Sequence, residues 1–106
     1  MAKFLIQGSY TADGTKGLLK EGGTGRQAAV RKAVEGLGGT LDSMYYTFGA
    51  NDVILICDMP DTTSGLAISL AVNASGAVRI ATTPLFSVED VDAACKKAVS
   101  YRPAGS

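Results

Sequence analysis

The 106-residue chain contains no histidine. This absence excludes Ser–His and Cys–His catalytic pairs, histidine metal ligands, phosphohistidine chemistry and histidine ligation of haem. Any catalysis would have to use carboxylates, tyrosine, lysine, arginine, a cysteine or a bound cofactor. No metal-binding or cofactor-binding motif stands in the sequence, and we expect neither a metal site nor a resident cofactor.

Excess charge is also lacking, because ten basic and ten acidic residues give a formal net charge of zero. Proteins that bind nucleic acid or anionic membranes usually carry a basic surface, so we expect neither partner. The N-terminal stretch MAKFLIQGSY is too short and too polar for a signal peptide, and no segment approaches a membrane-spanning length. These features favour a cytoplasmic protein.

Cysteine is scarce as well. Cys57 and Cys95 lie far apart and form no C-x-x-C motif. We expect two free thiols in a reducing cytoplasm, although the sequence alone leaves a disulfide between them open.

Apolar residues are abundant for so short a chain, at 46% against 19% charged residues. We predict a single domain over residues 1–101, followed by a flexible tail over residues 102–106. The stretch GLAISLAV, residues 65–72, has only Ser69 as a polar residue, so a helix there would need a covering surface on both sides. This apolar excess predicts a homodimer or a larger homo-oligomer.

The periodicity of apolar residues predicts the order β-α-β-β-α-β with a trailing helix. The predicted strands are Lys3–Tyr10, Thr40–Phe48, Asp52–Met59 and Val78–Phe86, and the predicted helices are Thr24–Leu37, Thr62–Ser75 and one that begins at Ser87. This order is typical of the α+β ferredoxin-like fold, with a four-stranded antiparallel sheet and both main helices on one face. The other face, with residues such as Gln7, Tyr45, Thr47 and Ile54, suits pairing with a second sheet.

Glycines near the first predicted helix decide where we expect it to start. Thr11–Thr15 is rich in turn residues, and Gly22 and Gly23 should weaken a continuous helix, so we expect Lys16–Glu21 to form a separate helical turn. Thr24 and Gln27 have the spacing of a capping box. We therefore expect the main helix to begin at Thr24.

The pattern Gly23-x-Gly25-x-x-Ala28 matches a dinucleotide-binding motif, but its context does not. The first glycine should end a strand, whereas Gly23 comes thirteen residues after Tyr10. A weaker hypothesis remains, in which helix N-terminal amides, Thr24, Arg26 and Lys20 bind an anion or carboxylate. In the alternative, Arg26 simply pairs with an acidic neighbour such as Glu21.

Four further side chains are candidates for a ligand site. Tyr45 and Tyr46 lie on opposite faces of one strand, where each either packs in a core or interface or lines a pocket. Asp52 and Asp58 lie ~20 Å apart along a strand and cannot act as one acid–base pair. Asp58 either forms a cap or an ion pair, or supplies a carboxylate at the end of the sheet.

The stretch FGANDVILICDMPD, residues 48–61, resembles the GYD-domain family, small bacterial and archaeal proteins of largely unassigned function. LLKEGGTGR, LGGTLDSMYYTFG and SGAVRIATTPLF extend the similarity over Phe4–Phe86. The resemblance implies a ferredoxin-like fold, often in dimers or larger assemblies of the α+β barrel type. Gly49 and Asp52 match the family's Gly-x-Tyr-Asp element, but Asn51 replaces its tyrosine, so a ring or hydroxyl role there is lost. We expect Asn51 to serve turn geometry at positive φ.

Two functional hypotheses follow. The first is an oligomeric small-ligand-binding or assembly module, with an anion site near the start of the first helix. The second is a small cofactor-free enzyme, an oxygenase or isomerase of the dimeric α+β barrel type. An enclosed pocket that contains Arg26, a tyrosine and a carboxylate would favour the enzyme.

Overall fold

The computed structural model describes residues 2–106, which form four strands and three helices. Its elements are β1 (Ala2–Tyr10), α1 (Ala12–Gly36), β2 (Thr40–Tyr46), β3 (Val53–Met59), α2 (Thr62–Ala74), β4 (Val78–Leu85) and α3 (Val88–Cys95). The four strands are antiparallel and pair in the order β2-β3-β1-β4. This α+β architecture confirms the predicted four-stranded antiparallel sheet, and its strand order is that of the ferredoxin-like fold.

The core lies between one face of the sheet and helices α1 and α2. Alternation along β1 and β3 directs every second side chain toward the helices, because successive strand residues point to opposite faces. Cys57 and Met59 at the centre have no exposed surface. The buried apolar cluster comprises Phe4, Ile6, Val34, Leu41, Leu55, Cys57, Met59 and Ile68.

A register shift in β2 decides which tyrosine faces the helices. Leu41 pairs with Cys57 on the helix side, and the pairing slips between Leu41 and Ser43. Beyond this irregularity, Tyr46 pairs with Val53 and turns toward the helices. A β-bulge inserts one residue and so inverts the alternation. Tyr45 therefore points to the opposite face, where it is 68% exposed.

Helix α1 begins at Ala12, so the predicted turn at residues 11–15 is wrong. Non-helical dihedral angles at Gly22 divide α1 into two halves, so the expected break at Gly22 and Gly23 is confirmed, and the second half begins directly after Gly22, close to the predicted Thr24. The Thr11 side chain caps the helix by accepting from the Gly14 N–H at 3.2 Å, and the Thr11 N–H donates to the Ala77 carbonyl at 3.0 Å. Gly22 has a φ of 79° and kinks the helix, as the paired glycines suggested. Thr24 lies inside the second half, which rules out the predicted capping box.

The two later helices start where side-chain caps predict them. Asp61 accepts from the Ser64 N–H at 2.7 Å at the start of α2, and Ser87 and Asp90 form a reciprocal capping box on α3. The outward side of α2 leaves Leu66 and Leu70 more than half exposed. None of the helices within residues 2–106 has the length and apolar character required to cross a bilayer.

The second face of the sheet, here called the open sheet face, carries no helix within the described chain. Its middle is apolar and its rim is polar. Its side chains are Lys3, Leu5, Gln7, Ser9, Thr40, Ser43, Tyr45, Ile54, Ile56, Asp58, Arg79, Ala81, Thr83 and Leu85. Gln7, Tyr45 and Ile54 were predicted on this face, whereas Thr47 lies beyond the end of β2 and donates to the Asn51 carbonyl.

Candidate functional site

A cavity of about 430 Å³ lies between α1, α2 and the sheet. We call it the helix–sheet groove. Its interior is apolar, with a floor from the strands and walls from small and branched residues of the two helices. The residues that define this interior are Ile6, Val30, Ala29, Ala33, Val34, Val53, Leu55, Ile68, Ala71, Val72 and Ile80.

Charged and polar side chains line the groove along the first half of α1 and just beyond its kink. Arg26 and Glu21 form an ion pair with an Nη1–Oε2 distance of 3.3 Å, and Tyr10 and Asp13 line the same cavity. Residues five apart on a straight helix point about 140° away from each other, since each residue turns the helix by ~100°. The kink at Gly22 is therefore what allows this pair to form.

Tyr46 holds the kink from the sheet side. Its hydroxyl donates to the Gly23 carbonyl at 3.1 Å, and its ring stacks on Phe48 with centroids 5.9 Å apart. A Cβ on Gly23 would lie 3.2 Å from the Tyr46 ring, so the helix backbone approaches the ring closely there. Tyr46, at the end of β2, thus fixes the position of the start of the second half of α1. It thereby also fixes the position of Arg26.

The phenols of Tyr10 and Tyr46, which lie near Arg26, stay protonated at neutral pH. Burial raises the pKa of Tyr10, and the neighbouring Tyr46 adds to the effect. Burial also raises the pKa of Tyr46, while the Arg26 charge opposes the increase. The Tyr10 hydroxyl, which lines the groove, can therefore donate a hydrogen bond to a bound group, whereas the Tyr46 hydroxyl already donates to the Gly23 carbonyl.

These pKa shifts predict a loss of stability at high pH. A phenol whose pKa is higher in the folded chain than its unfolded value of ~10 stabilises the fold below pH ~10. That contribution disappears as the pH rises through the folded-state pKa. Alkaline titration of phenolate absorbance should show that Tyr10→Phe and Tyr46→Phe each remove a late-titrating group. If either variant instead removed an early-titrating group, the environment described for that tyrosine would be wrong.

The predicted ligand residues on α1 do not all meet. Arg26 lines the helix–sheet groove, but Lys20 is exposed and is not among its lining residues. Thr24 faces a shallow depression on another side of α1, beside Gln27 and Arg31. Of the three, only Arg26 is in a position to contact a ligand in the groove.

Asp52 has a structural position next to this site. Its carboxylate accepts from the Tyr10 N–H at 2.8 Å, and its own N–H donates to the Gly8 carbonyl at 2.7 Å. These bonds extend the pairing of β1 with β3 and fix the backbone that carries Tyr10. The expectation of a positive φ at Asn51 is wrong, since Phe48 is the non-glycine residue that adopts it, with φ 47°.

Asp58 and Tyr45 lie across the sheet from the groove. Asp58 is 3.9 Å from the Lys3 ammonium, which also hydrogen-bonds Asp42. The Asp58 Oδ1 atom is buried without a hydrogen-bond partner in the described chain. The structure thus favours the ion-pair alternative for Asp58, and Tyr45 lies on the open sheet face.

The sequence pattern missed Tyr10 and Asp13 as groove residues. A usable signal was present in α1 and α2, where alanines at positions 29, 33 and 71 face the sheet. Small residues at helix positions that should fill a core leave room between the helices. Arg26 stood out because it lies beside the apolar stripe, and the groove explains that placement.

The positions of the acidic and cysteine side chains do not point to metal or thiol chemistry. Across residues 2–106, no cluster of three or more cysteine, aspartate and glutamate side chains is placed to hold a metal ion. The two cysteines are unpaired. Burial raises the pKa of the Cys57 thiol, which makes it a poor nucleophile, and Cys95 is exposed on α3.

Comparison with known proteins gives one match. A family model described as the GYD domain matches residues 4–95, which confirms the resemblance noted around residues 48–61. No curated protein and no solved structure matches the chain.

Proposed function

We propose that this chain, which belongs to the GYD-domain family, is a homo-oligomeric module that binds a small ligand in the helix–sheet groove. The ligand has an apolar body and an anionic head group, such as a carboxylate. The observation that carries the proposal is the apolar cavity of about 430 Å³ with the Arg26 guanidinium in its lining.

The dimensions and chemistry of the groove support such a ligand. Small-molecule sites in proteins usually measure ~300–1,000 Å³ and combine apolar walls with a few polar groups. The alanine-rich walls would bury a hydrocarbon or aromatic body and release water from its surface. Arg26 would hold the head group, because a guanidinium presents parallel N–H donors that match a carboxylate.

The Arg26–Glu21 ion pair does not block this role. The Arg26 side chain is 36% exposed and the Glu21 side chain is 44% exposed. Solvent screening limits an ion pair of this kind to about 0–1 kcal/mol. A ligand carboxylate could replace Glu21 or share the five donors of Arg26 with it, at little cost in free energy.

The open sheet face supports the oligomeric part of the proposal. Leu5, Ile54 and Ile56 form an apolar strip at its centre, and Tyr45 stands exposed beside them. Two such faces stacked ~10 Å apart would bury these side chains in a dimeric α+β barrel. The exposed free thiol of Cys95 suits a reducing compartment and supports a cytoplasmic location as part of the proposal.

An enzymatic role is the second candidate, and the composition of the groove lining favours it. Glu21 can accept a proton, the Tyr10 phenol can donate one, and Arg26 can stabilise the negative charge that develops between the two transfers. That set suits a cofactor-free isomerase acting on a substrate with an acidic C–H bond. A cofactor-free oxygenase would use the same carbanion and add molecular oxygen.

Native mass spectrometry of the purified protein tests the proposal. We expect an oligomer that retains a small molecule, whose mass appears again after denaturation and extraction. An oligomer without a bound molecule would support the proposed self-association and count against the proposed ligand site. A monomer without a bound molecule at micromolar concentration would contradict both parts.

A further inference from the structure

The segment over residues 86–101, here called the C-terminal arm, extends away from the body of the protein. None of the residues of α3 is buried. The radius of gyration is 16.9 Å, against about 13 Å for a compact chain of this length. The longest dimension of the molecule is 55 Å, while the other two are 33 and 22 Å.

The C-terminal arm carries an apolar surface that nothing in the described chain covers. Val88, Val91 and Cys95 follow the spacing i, i+3, i+7 and form an apolar stripe on α3. Phe86 and Val91 occupy the two positions of a hydrophobic staple around the Ser87 cap. Phe86, Val88 and Val91 are nevertheless all more than half exposed. A free helix of eight residues is marginal in water and needs a surface to pack on.

We propose that the C-terminal arm of one copy packs on the body of a second copy. This inference rests on the proposed self-association through the open sheet face. Leu85, the last residue of β4, lies on that face, and only Phe86 and Ser87 separate it from α3. An arm that starts at the rim of the face and leaves the body is within reach of the partner when two faces stack. The GYD match extends to residue 95, which includes α3 in the domain.

The area available on the sheet supports a role for the arm. Four strands ~4.8 Å apart and ~25 Å long offer a face of roughly 480 Å². A stable interface usually buries about 800 Å² on each partner. The apolar stripe of α3, together with Phe86, Val99 and Tyr101, supplies apolar surface beyond the sheet.

Charge also fits a second copy. Glu89, Asp90 and Asp92 lie on the first turns of α3. Arg79 is exposed on the open sheet face and, within the described chain, has no carboxylate within 4.0 Å. An arm that lies along the partner's sheet brings its acids toward a basic side chain that is otherwise left without an acidic partner.

The exposed thiol of Cys95 allows a direct test, because Cys57 is buried. Unlabelled protein would be modified at Cys95 with a benzophenone maleimide and mixed with a fourfold excess of ¹⁵N-labelled Cys95→Ser protein. After subunit exchange and irradiation, we expect most cross-links to join an unlabelled arm peptide to a ¹⁵N-labelled body peptide. Cross-links confined to the unlabelled chain would show that the arm folds back on its own body, which would overturn the proposal.

A matched pair of variants separates the arm from the sheet contact. Val91→Asp places a carboxylate on the apolar stripe, whereas Ala93→Asp places one on the opposite side of α3. In sedimentation velocity, the dissociation constant of the oligomer should rise at least tenfold for Val91→Asp and less than threefold for Ala93→Asp. Equal constants for Val91→Asp and wild type would reject the arm contact and leave the self-association standing. A wild-type protein that stays monomeric would reject both.

Discussion

Replacement of Gly14 by alanine should lower the free energy of unfolding by about 3 kcal/mol or more and leave a protein that is poorly folded at 37 °C. A Cβ on Gly14 would overlap the Ala77 carbonyl oxygen and lie 2.8 Å from its carbon. The obstructing atoms are backbone, and the Thr11 N–H bond to the same carbonyl holds them in place. Overpacking that flexible side chains can relieve costs about 1–3 kcal/mol, so a backbone overlap should reach or exceed that range.

Gly17, one turn further along α1, provides the matched control. Apart from the neighbouring backbone of α1 itself, no atom lies within 4 Å of a Cβ built there, so Gly17→Ala gains helix propensity without a clash. We expect it to stabilise the protein by ~0.5–1 kcal/mol. Urea unfolding followed by circular dichroism would measure both variants. A neutral Gly14→Ala variant would mean that α1 does not dock against the loop before β4, and the wall of the helix–sheet groove would then lie elsewhere.

Replacement of Arg26 by alanine should weaken the binding of an apolar carboxylate at least thirtyfold. Octanoate is a suitable probe, because its chain fits the apolar groove and its carboxylate can pair with the guanidinium. Hydrogen bonds to a charged partner contribute about 1.5–3 kcal/mol, and 2 kcal/mol corresponds to roughly thirtyfold in affinity. Isothermal titration calorimetry would give the dissociation constants.

Two controls isolate the charge contribution in this experiment. Arg31 is exposed beside the shallow depression on another side of α1, so Arg31→Ala should change the affinity less than twofold. Octanol matches octanoate without the negative charge, and wild type should prefer octanoate. Arg26→Ala should lose that preference, because the guanidinium that distinguishes the two probes is gone. An equal loss of affinity for both probes would point to a packing role for Arg26.

The sheet could be predicted from the sequence because its signal is local. Strands β1 and β3 contain short apolar runs bounded by turn residues, and Gly49–Asn51 separates β2 from β3. The caps at Asp61 and Ser87 also act within four residues of themselves. Local propensity and tertiary structure agree in these segments, so the pattern was sufficient.

The start of α1 at Ala12 could not be predicted in the same way. Gly14 and Gly17 lower its helix propensity, and the run that follows Thr11 has the composition of a turn. The helix forms there because the Thr11 side chain caps it and the Ala77 carbonyl holds its first turn. That carbonyl lies more than sixty residues away in the chain. A long-range contact therefore overrides the local preference.

The candidate site was predictable only in part for a similar reason. Arg26 stood out because it borders the apolar stripe of its helix, and the structure places it in the lining of the groove. Tyr10 joins it in the lining from β1, while Tyr46 packs against the kink of α1. The bulge in β2 decides that Tyr46 rather than Tyr45 faces the helices. Sequence alternation shows that Tyr45 and Tyr46 face opposite ways but does not show which one faces the helices.

The central claim, that the helix–sheet groove binds an apolar anion, is tested most directly by methyl NMR during a titration with octanoate. The account predicts saturable shifts for Ile6, Val30, Ile68 and Val72, which line the groove. It predicts no shift for Ile54 on the open sheet face in the same titration. Saturable shifts at Ile54 with unchanged groove methyls, or no saturable shift at any methyl group, would contradict the account.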